Sequence, residues 1–211
     1  MEITPSSLPW KSIYKILTGS VLPRPIGWIS TLNLDGRPNL APFSFFNVVC
    51  ANPPTVLFCP MIRSINAEPK DSLNNVRATG EFVVNIFGEE LVNEMNATSV
   101  EAPPEWNEFE ITGLETAPSL TVSPPRVRKA PIHFECKLNQ IVEINREPGG
   151  GFVVIGTVIH IHVDEKVLQG ADKINLSALR PVGRLVGNYY TRVTDLFEME
   201  RPKPEIQERE K

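Results

Sequence analysis

The residue types that could hold a ligand are concentrated between positions 28 and 72. Trp28, Ile29, Ser30 and Thr31 fall on one β-prone run, and Asn39, Leu40, Ala41, Pro42 and Ser44 fall on the next, within "DGRPNLAPFSFF". Arg63 follows in "IRS" at 62–64, and Lys70, Asp71 and Ser72 form "KDS". A buried ligand with a planar polar ring and an anionic tail calls for this set. Backbone groups left free by an interrupted ladder read the ring edge, while hydroxyls, a cation and a helix N-terminus hold a phosphate. A purely structural reading stands beside it: serine and threonine are ordinary strand residues, and "NLAP" can be only a turn. Pro42 sharpens the question, because proline donates no backbone hydrogen bond and belongs at a sheet edge or bulge. It is read as an interruption, placed where a ligand edge meets backbone groups that no neighbouring strand uses.

Other chemistries are poorly supplied. The sequence has no G-x-G-x-x-G after a strand, no P-loop and no G-x-S-x-G elbow. His160 and His162 share a strand face, yet no cysteine or carboxylate cluster stands at ligand spacing beside them or His133, so no metal site is expected. No side chain is assigned as a catalytic acid, base or nucleophile. Cys50, Cys59 and Cys136 are widely spaced and read as reduced, buried thiols. A formal charge of −4 disfavours a nucleic-acid partner. "MEITPSSLPWK" lacks the basic start of a signal peptide, and no run approaches the roughly 18 apolar residues of a membrane span. The expectation is a cytoplasmic protein with neither a nucleic-acid nor a membrane partner.

The elements that must position these residues are mostly strands. "LPWKSIYKIL" carries Trp10, Ile13, Tyr14 and Leu17 at helical spacing, with Ser6 or Ser7 as a cap. Residues 26–32 and 39–50 read as a hairpin about "LDG". Along the 39–50 strand, Phe43 and Phe45 would share a face with Asn39, and Phe46 with Ser44. "TVLFCPM" and "EFVVNIF" are further strands, and "KDSLNNVRATG" between them is a short helix capped by Asp71 or Ser72 and ended by Gly80. "GEELVNEMNATS" is a second short helix. Residues 100–131 are a proline-rich excursion of the kind that is usually functional. "IHFECKLNQIVEI" and "GFVVIGTVIHIHV" are long strands expected to bend around a barrel. The prediction is a mainly β fold: a six-stranded antiparallel split β-barrel of Greek-key type with short flanking helices. It occupies 1–197, and 198–211 form a charged tail or dimer arm.

The blocks "PRPIGWISTLNLDGRPNLAPFSFFNVVCANPPTVLF", "KDSLNNVRATGEFVVNIF" and "LRPVGRLVGNYY" together resemble the flavin reductase-like, FMN-binding split-barrel family, which includes flavoredoxins and the small reductase components of two-component monooxygenases. The resemblance spans about residues 8–190 and is more specific to the family than to one activity. It implies a homodimer with FMN near the interface. Trp28 through Thr31 would lie along the isoalloxazine, Asn39 through Pro42 at its edge, and Ser44 with Lys70, Asp71 and Ser72 along the ribityl chain and phosphate, assisted by Arg63. Arg184 and Tyr189 would reach the site, from the partner protomer. The family block usually reads "KDT"; Ser72 keeps the hydroxyl. The implied activity is hydride transfer from NAD(P)H to flavin N5, with a monooxygenase or another protein as electron partner. The alternatives are a flavoredoxin-like carrier without a nicotinamide site and a non-catalytic flavin-binding protein.

Overall fold

The computed structural model of the chain describes residues 1–63, 66–100, 103 and 105–202. Ser64 of the "IRS" stretch, parts of the 100–131 excursion and positions 203–211 of the tail lie outside the described residues. The elements run α1 (Trp10–Ser20), β1 (Gly27–Leu32), β2 (Pro38–Phe43), β3 (Phe46–Ala51), β4 (Pro54–Phe58), α2 (Asp71–Thr79), β5 (Glu81–Ile86) and α3 (Val92–Ala97). They continue with α4 (Glu108–Thr112), the two-residue pair β6 (Thr116–Ala117) and β7 (Arg126–Val127), and the long β8 (Ile132–Asn145) and β9 (Gly151–Val163). Small pieces close the chain: β10 (Leu168–Gln169), β11 (Lys173–Ile174), α5 (Leu176–Leu179), β12 (Val182–Arg184) and β13 (Tyr190–Arg192).

One antiparallel sheet dominates, in the order β2-β1-β5-β8-β9-β4-β3. It has seven strands and no closing ladder, which corrects the expected six-stranded barrel. The cause is local. The 39–50 run is two strands, broken at Ser44 and Phe45, and the halves go to opposite edges of the sheet. Two residues span only about 7 Å of extended chain, so the sheet must curl until its edges nearly meet. Register shifts in the β8–β9 ladder, at Glu135/Cys136, Leu138/Gln140 and Glu143/Asn145, supply bends in the long hairpin. The break also overturns the expected alternation of phenylalanines. Phe43 and Phe46 are both buried in one core, with Phe58 and Phe82.

Pro42 proves not to interrupt β2. It pairs with Trp28 in the β1 register, and β2 is an edge strand. The Leu40 N–H points away from β1, because the Glu108 carboxylate accepts it at 3.0 Å. Antiparallel residues alternate between the two sides, so Pro42, two positions on, has its nitrogen on the same outer side. The proline costs no ladder bond and leaves the outer edge without a donor at that point.

The helices hold the edge strand in place. Leu73 and Val76 of α2 are fully buried, and Gly80 ends the helix with φ +71°, a conformation in which a side chain is strained. The cap differs from the expectation: Lys70 is the N-cap residue and no side chain caps the helix. Likewise α1 begins after Pro9, and neither Ser6 nor Ser7 caps it. Its apolar residues Trp10, Tyr14 and Leu17 are exposed. Leu91 and Met95 pack with Trp28, Leu40 and Phe87 in a second core on the other side of β1–β2.

Candidate functional site

The outer edge of β2 borders two cavities. The first, of about 90 Å³, is bounded by Asn39, Ala41 and Pro42 on one side and by Arg63, Lys70, Asp71 and Ser72 on the other. Glu108 and the segment 98–100 close it. The second, of about 560 Å³, is bounded by Pro42 and Ser44, by Tyr14 of α1, and by Arg184, Asn188 and Tyr190. Pro42 and Ser99 belong to both, so the two form one groove along the strand edge.

The first cavity gathers two cations, two carboxylates and a helix N-terminus. The N-terminus of the nine-residue α2 opens there and places its positive dipole end beside Lys70 and Arg63. The Asn39 side-chain amide donates to Ser72 Oγ at 2.9 Å. That fixes the hydroxyl as acceptor toward Asn39 and leaves its hydrogen to be donated elsewhere. Arg63 pairs with Asp71, and its buried Nε has no hydrogen-bond partner among the described residues. A buried donor without a partner is costly, so a ligand acceptor at this point relieves the cost.

At the second cavity the Arg184 guanidinium stacks on Tyr190 at 4.5 Å. Arg24 stands behind it, only 6% exposed. It donates to the carbonyls of Thr18 (2.6 Å), Val21 (3.1 Å) and Leu185 (2.9 Å). Its Nε also approaches Ser44 Oγ at 3.5 Å. One side chain thus ties the end of α1, the 185–190 turn and the end of β2 together. Burial, then the neighbouring Arg184, lowers its pKa, while Tyr14 opposes the shift.

The structure brings Asn39, Ala41, Pro42, Ser44, Arg63, Lys70, Asp71, Ser72 and Arg184 to this groove. It places Trp28, Ile29, Ser30 and Thr31 one strand behind, fully buried and outside both cavities. Their polar atoms are engaged internally. Trp28 Nε1 donates to Thr98 Oγ1 (2.8 Å), Ser30 Oγ to Pro125 O, and Asn75 Nδ2 to Thr31 Oγ1 (3.0 Å). Leu40 lines neither cavity: its side chain is in the core and its outward N–H is taken by Glu108. Tyr189 is 71% exposed and lines neither cavity; Tyr190 does.

Three residues went unread in the sequence. Arg24 sits between two prolines, Pro23 and Pro25, at the start of a β-prone run. Asn85, buried in β5, donates to Trp28 O (2.9 Å) and Ser30 Oγ (3.2 Å) and accepts from Val127 N–H (2.8 Å). Its signal was a lone amide inside an apolar strand. Glu108, in the unmatched excursion, had none.

A family model described as flavin reductase like domain matches residues 18–179. An uncharacterized protein of Halalkalibacterium halodurans is 40% identical over 205 residues, covering 96% of this chain and 97% of its own. Nitrilotriacetate monooxygenase component B from Bacillus cereus superposes with a TM-score of 0.89 at 34% identity, over 94% of this chain and 98% of that one. The 2-nitrobenzoate 2-nitroreductase NbaA of Pseudomonas fluorescens gives 0.85 at 30% identity, over 96% of each chain. Flavoredoxin of Desulfovibrio vulgaris, 21% identical, shares the fold, with a TM-score of 0.72 over 85% of this chain and 91% of that one.

Proposed function

The chain belongs to the flavin reductase-like domain family, and from that premise we propose that it is an FMN-binding oxidoreductase reduced by NAD(P)H. The observation that carries the reading is the groove on the outer edge of β2, with an anion-binding end at α2 and a wider end at Ser44 and Arg184. The donor set fits FMN. Lys70, Arg63, the Ser72 hydroxyl and the α2 N-terminus hold the phosphate. The outer edge of β2 at Pro42, where the backbone faces away from β1, meets the ring edge, with Ser44 beside it. Trp28 through Thr31 act as a rigid backing for β2. When bound, the flavin supplies the redox chemistry, accepting hydride at N5. The protein's part is to bind, orient and exclude water, and no side chain serves as acid or base.

The working form is a homodimer. Tyr14 lines the groove, Trp10 and Val186 join it in an adjoining pocket, and all three are exposed apolar side chains, as are Leu17 and Tyr189. Tyr189, exposed and outside both cavities, then reaches the site of the partner protomer, while Arg184 stays in the groove of its own chain. Electrons leave to oxygen, to free flavin or to a protein partner such as a monooxygenase component. The likeness to a component B supports that partner. A cytoplasmic location agrees with this role.

FMN titration of the purified protein, followed by flavin fluorescence, tests the binding step. Saturable binding, with FMN and not FAD released on denaturation, is expected. Failure of either flavin to bind at high micromolar concentration overturns the reading.

A further inference from the structure

Glu108 opens the short helix α4, yet it is only 6% exposed. Its Oε2 accepts the outward N–H of Leu40 at 3.0 Å, and its carboxyl lines the small cavity together with Arg63, Lys70, Asp71 and Ser72. No ion pair among the described residues includes it. A glutamine would satisfy Leu40 equally well, so the hydrogen bond alone does not call for a charge.

The charges facing this carboxyl come from few places. The loop before α2 brings Arg63, and the start of α2 brings Lys70 and Asp71. β2, packed against α4, has no titratable side chain. The segment 98–100 has none either, and on α4 itself Glu110 is exposed and bonded to Asn107. With both carboxylates ionised, two cations face two anions, and an incoming phosphate dianion meets no net positive charge. With Glu108 protonated, the balance turns positive. The carboxyl then accepts from Leu40 through one oxygen and donates through the other. Burial pushes the Glu108 carboxyl above its ordinary range, and Asp71 pushes the same way. The Leu40 N–H and Arg63 oppose them.

We propose that Glu108 makes anion binding in this cavity proton-linked, so that a phosphate-bearing flavin enters together with one proton taken up by its carboxyl. The proposal rests on the flavin reading above and adds a regulation to it: flavin is held more tightly as pH falls. A phosphate monoester is already largely dianionic at pH 7.5, its second ionisation lying near about 6, so the ligand itself releases few protons there.

FMN and riboflavin are titrated into the full chain by calorimetry at pH 7.5 in two buffers of different ionisation enthalpy. FMN affinity is also followed from pH 6 to 9. Expected for FMN are uptake approaching one proton and a Kd that weakens by up to about tenfold per pH unit on the alkaline side. Riboflavin, lacking the phosphate, binds without uptake. Glu108→Gln binds FMN more tightly at pH 8.5 and takes up no proton. FMN binding without uptake in the wild type, or with the same uptake in Glu108→Gln, overturns the linkage and leaves the flavin reading intact. No FMN binding at all overturns both. If circular dichroism shows Glu108→Gln unfolded, the wild-type contrast between FMN and riboflavin decides: equal uptake for both overturns the proposal.

Discussion

At the residue scale, the anion end of the groove rests on a few atoms whose roles are separable. The Asn39 amide fixes Ser72 Oγ as an acceptor and leaves its proton to be donated elsewhere, in the proposed site to the phosphate. A hydrogen bond to a charged group is worth about 1.5–3 kcal/mol, so Ser72→Ala should weaken FMN by roughly one to two decades. Fluorescence titration measures this, and an unchanged Kd would remove Ser72 from the phosphate site. The double change Ser44→Ala, Lys70→Ala should weaken FMN further while the far-UV circular dichroism stays native. Loss of fold would instead make these residues structural. That Arg63, Lys70, Asp71 and Ser72 gather at one place was legible in the sequence, because "IRS" and "KDS" stand close together at a helix start. Arg24 and Glu108 were not. Their roles depend on what a distant segment brings against them, the 185–190 turn in one case and the edge of β2 in the other.

At the element scale, the excursion is anchored to the main sheet through Glu135 of β8. This fully buried carboxylate accepts from Leu120 N–H (2.8 Å) and Thr121 N–H (2.6 Å), with His162 Nε2 at 2.6 Å. Burial alone would raise its pKa, but the bonds from Thr121, His162 and Leu120 hold it at about 2. A depressed carboxylate contributes stability that is present above its unfolded pKa and is lost as pH falls toward the folded value. From the ordinary 4.5 to about 2, that contribution is on the order of 3 kcal/mol. His133, buried and lowered to about 4, acts in the same direction between its ordinary 6.5 and that value. Thermal unfolding should therefore show Tm falling steadily below pH 6.5, and Glu135→Gln should lower Tm at pH 7 while flattening the part below pH 4.5. A parallel downward shift at all pH values would contradict the assignment. In the α2 turn, Gly80→Ala should cost about 1 kcal/mol, since φ +71° disfavours a side chain. Strand existence was readable from alternation and turn signals. The break at Ser44 was not, because apolar side chains continue across it and only the exchange of sheet edges reveals it.

At the scale of the whole molecule, exposed apolar side chains are found on α1, on β3 (Val48 and Val49), on β9 (Ile159 and Ile161) and on the last described segment, where Phe197 is 83% exposed. A homodimer that covers Trp10, Tyr14 and Leu17 accounts for the surface by α1. Light scattering should give twice the chain mass, and Tyr14→Glu with Leu17→Glu should give monomers that hold FMN weakly. Monomeric wild-type protein with full FMN affinity would contradict the partner's share in the site. The family was legible from ordered sequence blocks, while the seven-strand count and the open sheet needed the register. The most direct measurement is the flavin absorption spectrum of the FMN-loaded protein during anaerobic addition of NADH and then NADPH. Bleaching of the flavin band within seconds by either nucleotide is predicted. A flavin that stays oxidised with both, but is reduced at once by a ferredoxin-type donor, would contradict the reductase and leave an electron carrier.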